Sequence, residues 1–263
     1  MENQKLLTEF YSNYDEEGRL LSRHGSVEFL TTMRYIEQYL RPGMRVLEIG
    51  AATGRYSHTL AKMGYEVDAV ELVEHNIHLF RKNTLPGERV TIRQGDARDL
   101  HFLRDDTYDI TLLLGPMYHL FSAEDQHRAL CEALRVTKKG GILMAAYCGN
   151  EATMVQYCFG RAMLKEEKYQ KLVDPVTFKA SSDPAELFEL YRKEDIDALM
   201  DGFNTTRLHY VGTDMATNYM RECIDHMDDD LFQMYLQYHF VICERADCVG
   251  VSHHILDIHK KAE

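Results

Sequence analysis

The stretch Met44-Arg45-Val46-Leu47-Glu48-Ile49-Gly50-Ala51-Ala52-Thr53-Gly54 decides the fold of this 263-residue chain. Val46, Leu47 and Ile49 make the short apolar run of a parallel strand covered on both faces. Gly50 and Gly54 then bracket a turn whose backbone can approach a ligand closely, and Arg55 to Met63 supplies a helix that packs back. The next strand, Glu66 to Val70, ends at Glu71. That acid lies about twenty residues past the turn, the offset at which a carboxylate meets the ribose hydroxyls of a bound nucleoside. Strand, glycine turn, helix and strand in this order predict an α/β fold with helices on both faces of a mostly parallel sheet.

The turn's own residues choose among nucleotide ligands. A dinucleotide fingerprint needs glycine at positions 50, 52 and 55 to seat a pyrophosphate on the helix N-terminus. The chain has Gly50, Ala52 and Arg55 there. A phosphate loop needs a Gly-Lys-Ser/Thr ending, and none follows Gly54. What remains is a turn without a phosphate cradle, with Glu48 inside the strand just before it, which suits a nucleoside carrying a cationic tail. S-adenosylmethionine is such a ligand.

From these residues outward the chain resembles the class I S-adenosylmethionine-dependent methyltransferases. Glu48-Ile49-Gly50-Ala51-Ala52-Thr53-Gly54 is similar to their first motif, acidic-x-Gly-x-Gly-x-Gly, with Ala52 in place of the middle glycine. Val67-Asp68-Ala69-Val70-Glu71 resembles the second-strand motif with its ribose-binding acid. Val90 to Ala97 resembles the third, in which Asp96 would accept a hydrogen bond from the adenine amino group. Tyr108 to Leu114 fits the fourth strand, and Leu134 to Leu143 the family's helix, basic-Gly-Gly turn and fifth strand. The match is close over residues 44 to 147 and loose beyond. It implies a Rossmann-like, doubly wound, seven-stranded methyltransferase sheet, mostly parallel with an antiparallel C-terminal strand. It also implies S-adenosyl-L-methionine as cofactor and S-adenosyl-L-homocysteine as product. The residues expected to hold the cofactor are Glu48, Gly50, Ala51, Ala52, Gly54, Glu71, Leu72, Gly95, Asp96, Ala97, Leu114 and Gly115, joined by Tyr14 and Arg23 from the N-terminal prefix.

Composition fits a globular enzyme. The chain is long enough for one full α/β domain with insertions, so residues 1–263 read as a single methyltransferase domain. Met-Glu-Asn-Gln-Lys lacks the basic-then-apolar pattern of a signal peptide, and no apolar run approaches membrane-spanning length, so a cytoplasmic protein without a membrane partner is expected. Its assembly is expected to be a monomer or homodimer. The six cysteines lack Cys-x-x-Cys spacing, which predicts free thiols rather than zinc ligands. A formal charge of −12 argues against a large phosphate-contacting surface while leaving room for a local basic patch.

Three additions surround the catalytic pattern. Residues 1–42 carry Tyr11, Tyr14, Arg19 and Arg23 ahead of an amphipathic helix through Phe29, Leu30, Met33, Ile36 and Leu40, which Arg41-Pro42-Gly43 stops. They read as a helical lid or as an ordinary packing helix with a polar lead. Residues 149–190 and 215–243 read as cap insertions, the first turn-rich and the second two helices full of Met, Tyr, Phe and His. Such stripes are ordinarily core; in this family, insertions at these places commonly cover the substrate opening.

Chemistry belongs at the carboxyl end of the fourth strand, where open α/β sheets place ligands. There Leu114-Gly115-Pro116-Met117-Tyr118-His119 departs from the Asn/Asp-Pro-Pro-aromatic motif of many amino-directed methyltransferases. Gly115-Pro116 forces a sharp turn that presents Tyr118 and His119 as the catalytic candidates. An imidazole titrates near working pH, so His119 suits a general base; the alternative is a satisfied helix-start residue. His75/His78 and His253/His254 read as solvated surface, and no metal is expected. The leading function is methyl transfer to a small-molecule acceptor through an N, O or S nucleophile. The alternatives are a tRNA or other RNA nucleotide acceptor and a non-catalytic cofactor-binding regulator.

Overall fold

A computed structural model describes residues 2–13, 22–186 and 188–263. Its centre is one eight-stranded sheet. The strands are β1 (Arg45–Ile49), β2 (Glu66–Glu71), β3 (Val90–Gln94), β4 (Tyr108–Leu113), β5 (Thr137–Gly149), β6 (Leu190–Tyr191), β7 (Thr205–Gly212) and β8 (His254–Lys261). Seven follow the order β3-β2-β1-β4-β5-β8-β7, and the two-residue β6 pairs with the end of β5. β1 to β5 run parallel, whereas β8 runs antiparallel to both β5 and β7. The expected sheet is therefore present with one short extra strand. Sequence periodicity has no purchase on a two-residue element.

Alternation along the strands explains the two layers of helices. Leu47, Ile49, Leu113, Leu143 and Ala145 face one side, where α5 (Ala123–Val136) and α8 (Lys193–Met200) bury Ala129, Leu130, Ala133, Leu134, Ile196 and Met200 against them. Val46, Ile110, Leu112, Ile142 and Met144 face the other, covered by Phe29, Met33 and Ile36 of α2 (Arg23–Tyr39), by Leu40 just after it and by Tyr56, Leu60 and Ala61 of α3 (Arg55–Lys62). Side chains buried in this way contribute about 1.5–3 kcal/mol each, so both faces of the sheet are anchored strongly. Ser22 caps α2 by accepting from Gly25 N at 3.1 Å, and Gly43 at φ 84° permits the turn into β1.

The additions also take shape. α1 (Glu2–Asn13) lies against α4 (Glu74–Asn83) and the turn Pro184–Glu186. The first cap starts with α6 (Asn150–Thr153), passes into a π-helical turn over Met154–Phe159 and includes the single turn α7 (Glu167–Gln170). The second holds a 3₁₀ segment, Met215–Met220, then α9 (Arg221–Asp225) and α10 (Asp229–Ile242). Phe232 and Leu236 of α10 pack with Ile224 on Val27, so α2 is clamped between sheet and cap. No helix among the described residues is long and apolar enough to cross a membrane.

Candidate active site

Backbone geometry at the end of β1 creates the first part of the site. Gly50 adopts φ +79°, and a Cβ there would stand 2.6 Å from Pro116 Cδ, so only glycine lets the two turns meet. Ala52, in place of the family's middle glycine, takes φ 47°, a left-handed conformation that costs alanine about 1 kcal/mol. Its amide N–H is held there by Glu71, donating to Oε2 at 2.8 Å. Glu71 Oε1 meanwhile accepts from Val73 N at 2.8 Å. One buried carboxylate thus ties the glycine turn to the start of the turn after β2, keeping lone pairs for a ligand.

Desolvation dominates the charges below the turn. Glu48 is 2% exposed and accepts from both the amide and the hydroxyl of Ser57. Burial outweighs those bonds and pushes its pKa up to about 8. Burial also raises Glu71, against the pull of its backbone donors. At Asp96 burial acts in the same direction, but a two-pronged bond from Arg98, 2.9 Å at Oδ1 and 2.6 Å at Oδ2, overcomes it and lowers the pKa. Arg98 in turn reaches Asp125 at 2.8 Å.

A cavity of about 180 Å³ runs along the carboxyl edge of β1, β2, β3 and β4. Glu48, Gly50, Ala51, Ala52, Glu71, Leu72, Gly95, Asp96, Ala97, Leu114, Gly115, Tyr118 and His119 all line it. Gly54 stands behind the wall, where a Cβ would come within 2.5 Å of Phe80, and it starts α3 at φ +91°. Arg23 departs from its expected place: it bonds Asp229 Oδ1 at 2.9 Å and covers the Phe232 ring, so it fastens α2 to α10 instead of facing the cavity. Tyr14 and Arg19 fall outside the described residues. Tyr11 does reach the site, its hydroxyl 2.9 Å from His119 Nε2.

Sequence reasoning passed over several lining residues. Arg55 opens α3 and lines the cavity with its guanidinium over Phe29, its buried Nε without a hydrogen-bond partner among the described residues. Glu28 and Asp214 were also missed. The reading of His253 and His254 as solvated surface is corrected: His253 is 7% exposed, and His254 Nδ1 lies 2.7 Å from Asp214 Oδ2. Because β8 is antiparallel, its first residue stands at the ligand edge beside Cys148, the penultimate residue of β5. His75 and His78 are exposed on α4, as expected.

A second cavity, about 720 Å³, adjoins the first, and Tyr11, Glu28, Tyr118 and His254 line both. Its walls come from the first cap, with Tyr157, Cys158, Met163, Tyr169 and Leu172, and from Asn218 and Arg221 of the second. Phe188 closes one side, its ring 5.8 Å from Tyr118 and 5.2 Å from His119.

Sheet order, glycine turn and a cavity at the carboxyl edge of the strands are those of a Rossmann-like fold with a ligand site at its switch point. The chain belongs to the class I S-adenosylmethionine-dependent methyltransferases. The methyltransferase-domain family matches residues 46–141. A demethylmenaquinone methyltransferase from Clavibacter sepedonicus is 30% identical over 199 residues, covering 74% of this chain and 75% of that protein. Among solved structures, phosphoethanolamine N-methyltransferase 1 of Haemonchus contortus superposes with a TM-score of 0.61 at 14% identity, over 99% of this chain and 48% of that one. The magnesium protoporphyrin IX methyltransferase of Synechocystis PCC 6803, with bound S-adenosylhomocysteine, gives 0.56 at 13% identity over 95% and 88%.

Proposed function

We propose that this enzyme methylates a small-molecule acceptor held in the second cavity. The observation that carries the reading is the seam: the cofactor-type cavity at the sheet edge opens, past Tyr118, into a larger chamber roofed by both caps. The residues present fit S-adenosylmethionine. Arg55 has a buried Nε at the cavity wall, unpartnered among the described residues and suited to a carboxylate. Glu71 offers its remaining lone pairs to ribose hydroxyls, Asp96 and Ala97 lie where an adenine edge would sit, and Glu48 lies under the turn where a cationic tail would end. When bound, this cofactor supplies an electrophilic methyl group on a sulfonium.

The chain's own residues then align and exclude water. Methyl transfer asks chiefly for nucleophile, carbon and sulfur in line, so positioning supplies most of the rate. His119 would take the acceptor's proton, with Tyr118 and Phe188 fixing its ring and Tyr11 tying α1 down over it. In this reading α1 is the lid.

The C. sepedonicus relative makes demethylmenaquinone the first acceptor to test, alongside a metabolite extract, with methyl-labelled cofactor. Labelled small-molecule product is expected. His119→Asn should lower turnover about 10²-fold while leaving S-adenosylhomocysteine affinity nearly unchanged. Parent-like turnover in that variant would remove His119 from the mechanism.

A further inference from the structure

Glu28, Asp214 and His254 come from three separate elements and converge where the two cavities meet. Their ligand atoms all lie within 4.8 Å of one another. His254 Nδ1 stands 2.7 Å from Asp214 Oδ2 and 3.4 Å from Glu28 Oε2. A lone Asp–His pair would need one carboxylate on that nitrogen. Here two carboxylates from different elements approach it. Three ligand-type atoms from separate elements held this close together match the arrangement a metal ion uses. Ligands about 2.1 Å from an ion stand roughly 3 to 3.5 Å apart around it, which the 3.4 Å spacing meets and the 2.7 Å spacing reaches by a small shift.

The surroundings are built to hold such a ligand set. Asp214 is 2% exposed, and its Oδ1 accepts from Ser252 Oγ at 2.6 Å and from His253 N at 2.9 Å. Asn218 Nδ2 steadies Oδ2 at 2.5 Å. These donors fix the carboxylate's orientation, as the hydrogen bonds behind metal-bound carboxylates do. His253 gives a separate observation: it lines the same chamber, is 7% exposed, and its Nε2 has no hydrogen-bond partner among the described residues.

We propose that Glu28, Asp214 and His254 bind one first-row divalent metal ion at the seam between the cofactor cavity and the acceptor chamber. One imidazole with two carboxylates suits Mn²⁺, Fe²⁺ or Zn²⁺ better than the all-oxygen preference of Mg²⁺ or Ca²⁺. Three protein ligands leave open positions toward the chamber, which suit an acceptor that carries an oxygen ligand. Binding of an acceptor at those positions rests on the methyltransferase reading; the metal site does not.

Calorimetric titration of EDTA-treated full-length protein with Mn²⁺, Zn²⁺ and Mg²⁺ tests it. One Mn²⁺ or Zn²⁺ per chain is expected, bound at least tenfold more tightly than Mg²⁺ and weakened at least tenfold by Glu28→Gln. His75→Asn, which removes an exposed imidazole of α4, should change nothing. A readout that needs no variant is Co²⁺ added to the parent, whose visible absorption should be displaced one for one by Zn²⁺. Binding that is lost in His75→Asn but kept in Glu28→Gln would overturn the proposal, as would no binding at all. S-adenosylhomocysteine titrated into the same samples separates the two readings, since its binding without metal sinks only the metal site and metal binding without it sinks only the methyltransferase reading.

Discussion

Glu48 is a carboxyl group placed where burial, not a neighbouring charge, sets its state. Its pKa, raised from 4.5 to about 8, means that the folded protein keeps a proton there which the unfolded chain has lost over that interval. Stability conferred by that proton is fully present below the unfolded value and is lost as pH rises through about 8. Glu48→Gln keeps an oxygen to accept from Ser57 and carries no ionisable group, so its advantage over the parent should grow between pH 5 and pH 8 in denaturant unfolding. An unchanged difference across that range would mean Glu48 is ionised throughout. The acid itself was legible in the sequence, since it sits one residue before Ile49-Gly50 in the strand. Its protonation was not, because burial belongs to the packed sheet, with Ser57 arriving from α3.

Elements repeat that lesson. The turn from β1 into α3 was readable because glycine reports backbone conformation directly: Gly54 takes φ +91°, and a Cβ would stand 2.5 Å from Phe80 Cδ2 and 2.7 Å from His58 Nε2. Gly54→Ala therefore combines a left-handed alanine with overpacking and should destabilise by about 2 kcal/mol or more, read as a fall in the urea midpoint at constant slope. Loss smaller than about 0.5 kcal/mol would show that α4 carrying Phe80 yields easily. The prefix was harder to read. Aromatic residues there fit a lid and a packing helix equally, and the structure adds the approach of Tyr11 to His119. If α1 is a lid, deleting residues 1–13 should weaken S-adenosylhomocysteine binding by about tenfold, roughly 1.4 kcal/mol, with the sheet's thermal transition retained. Equal affinity in the shortened chain would make α1 a packing helix only.

At the scale of the whole molecule, topology accounts for most of what the sequence concealed. Asp214 follows the end of β7 and His254 begins β8, and an antiparallel final strand sets them together at the ligand edge. No spacing rule connects residues forty apart across such a return, so His254 looked like surface. Charge, in contrast, is a global quantity that the sequence states outright. At −12, any RNA acceptor would need a basic track to offset repulsion along its backbone. Among the described residues the second cavity is lined by a single Arg or Lys, Arg221, and that side chain already bonds Asn218 Oδ1 at 3.0 Å. Filter binding of tRNA should therefore be weak even at low salt and respond little to added salt, because few counterions would be released. Tight tRNA binding that falls steeply between about 50 and 200 mM salt would reveal a phosphate-contacting surface and move the acceptor from small molecule to RNA.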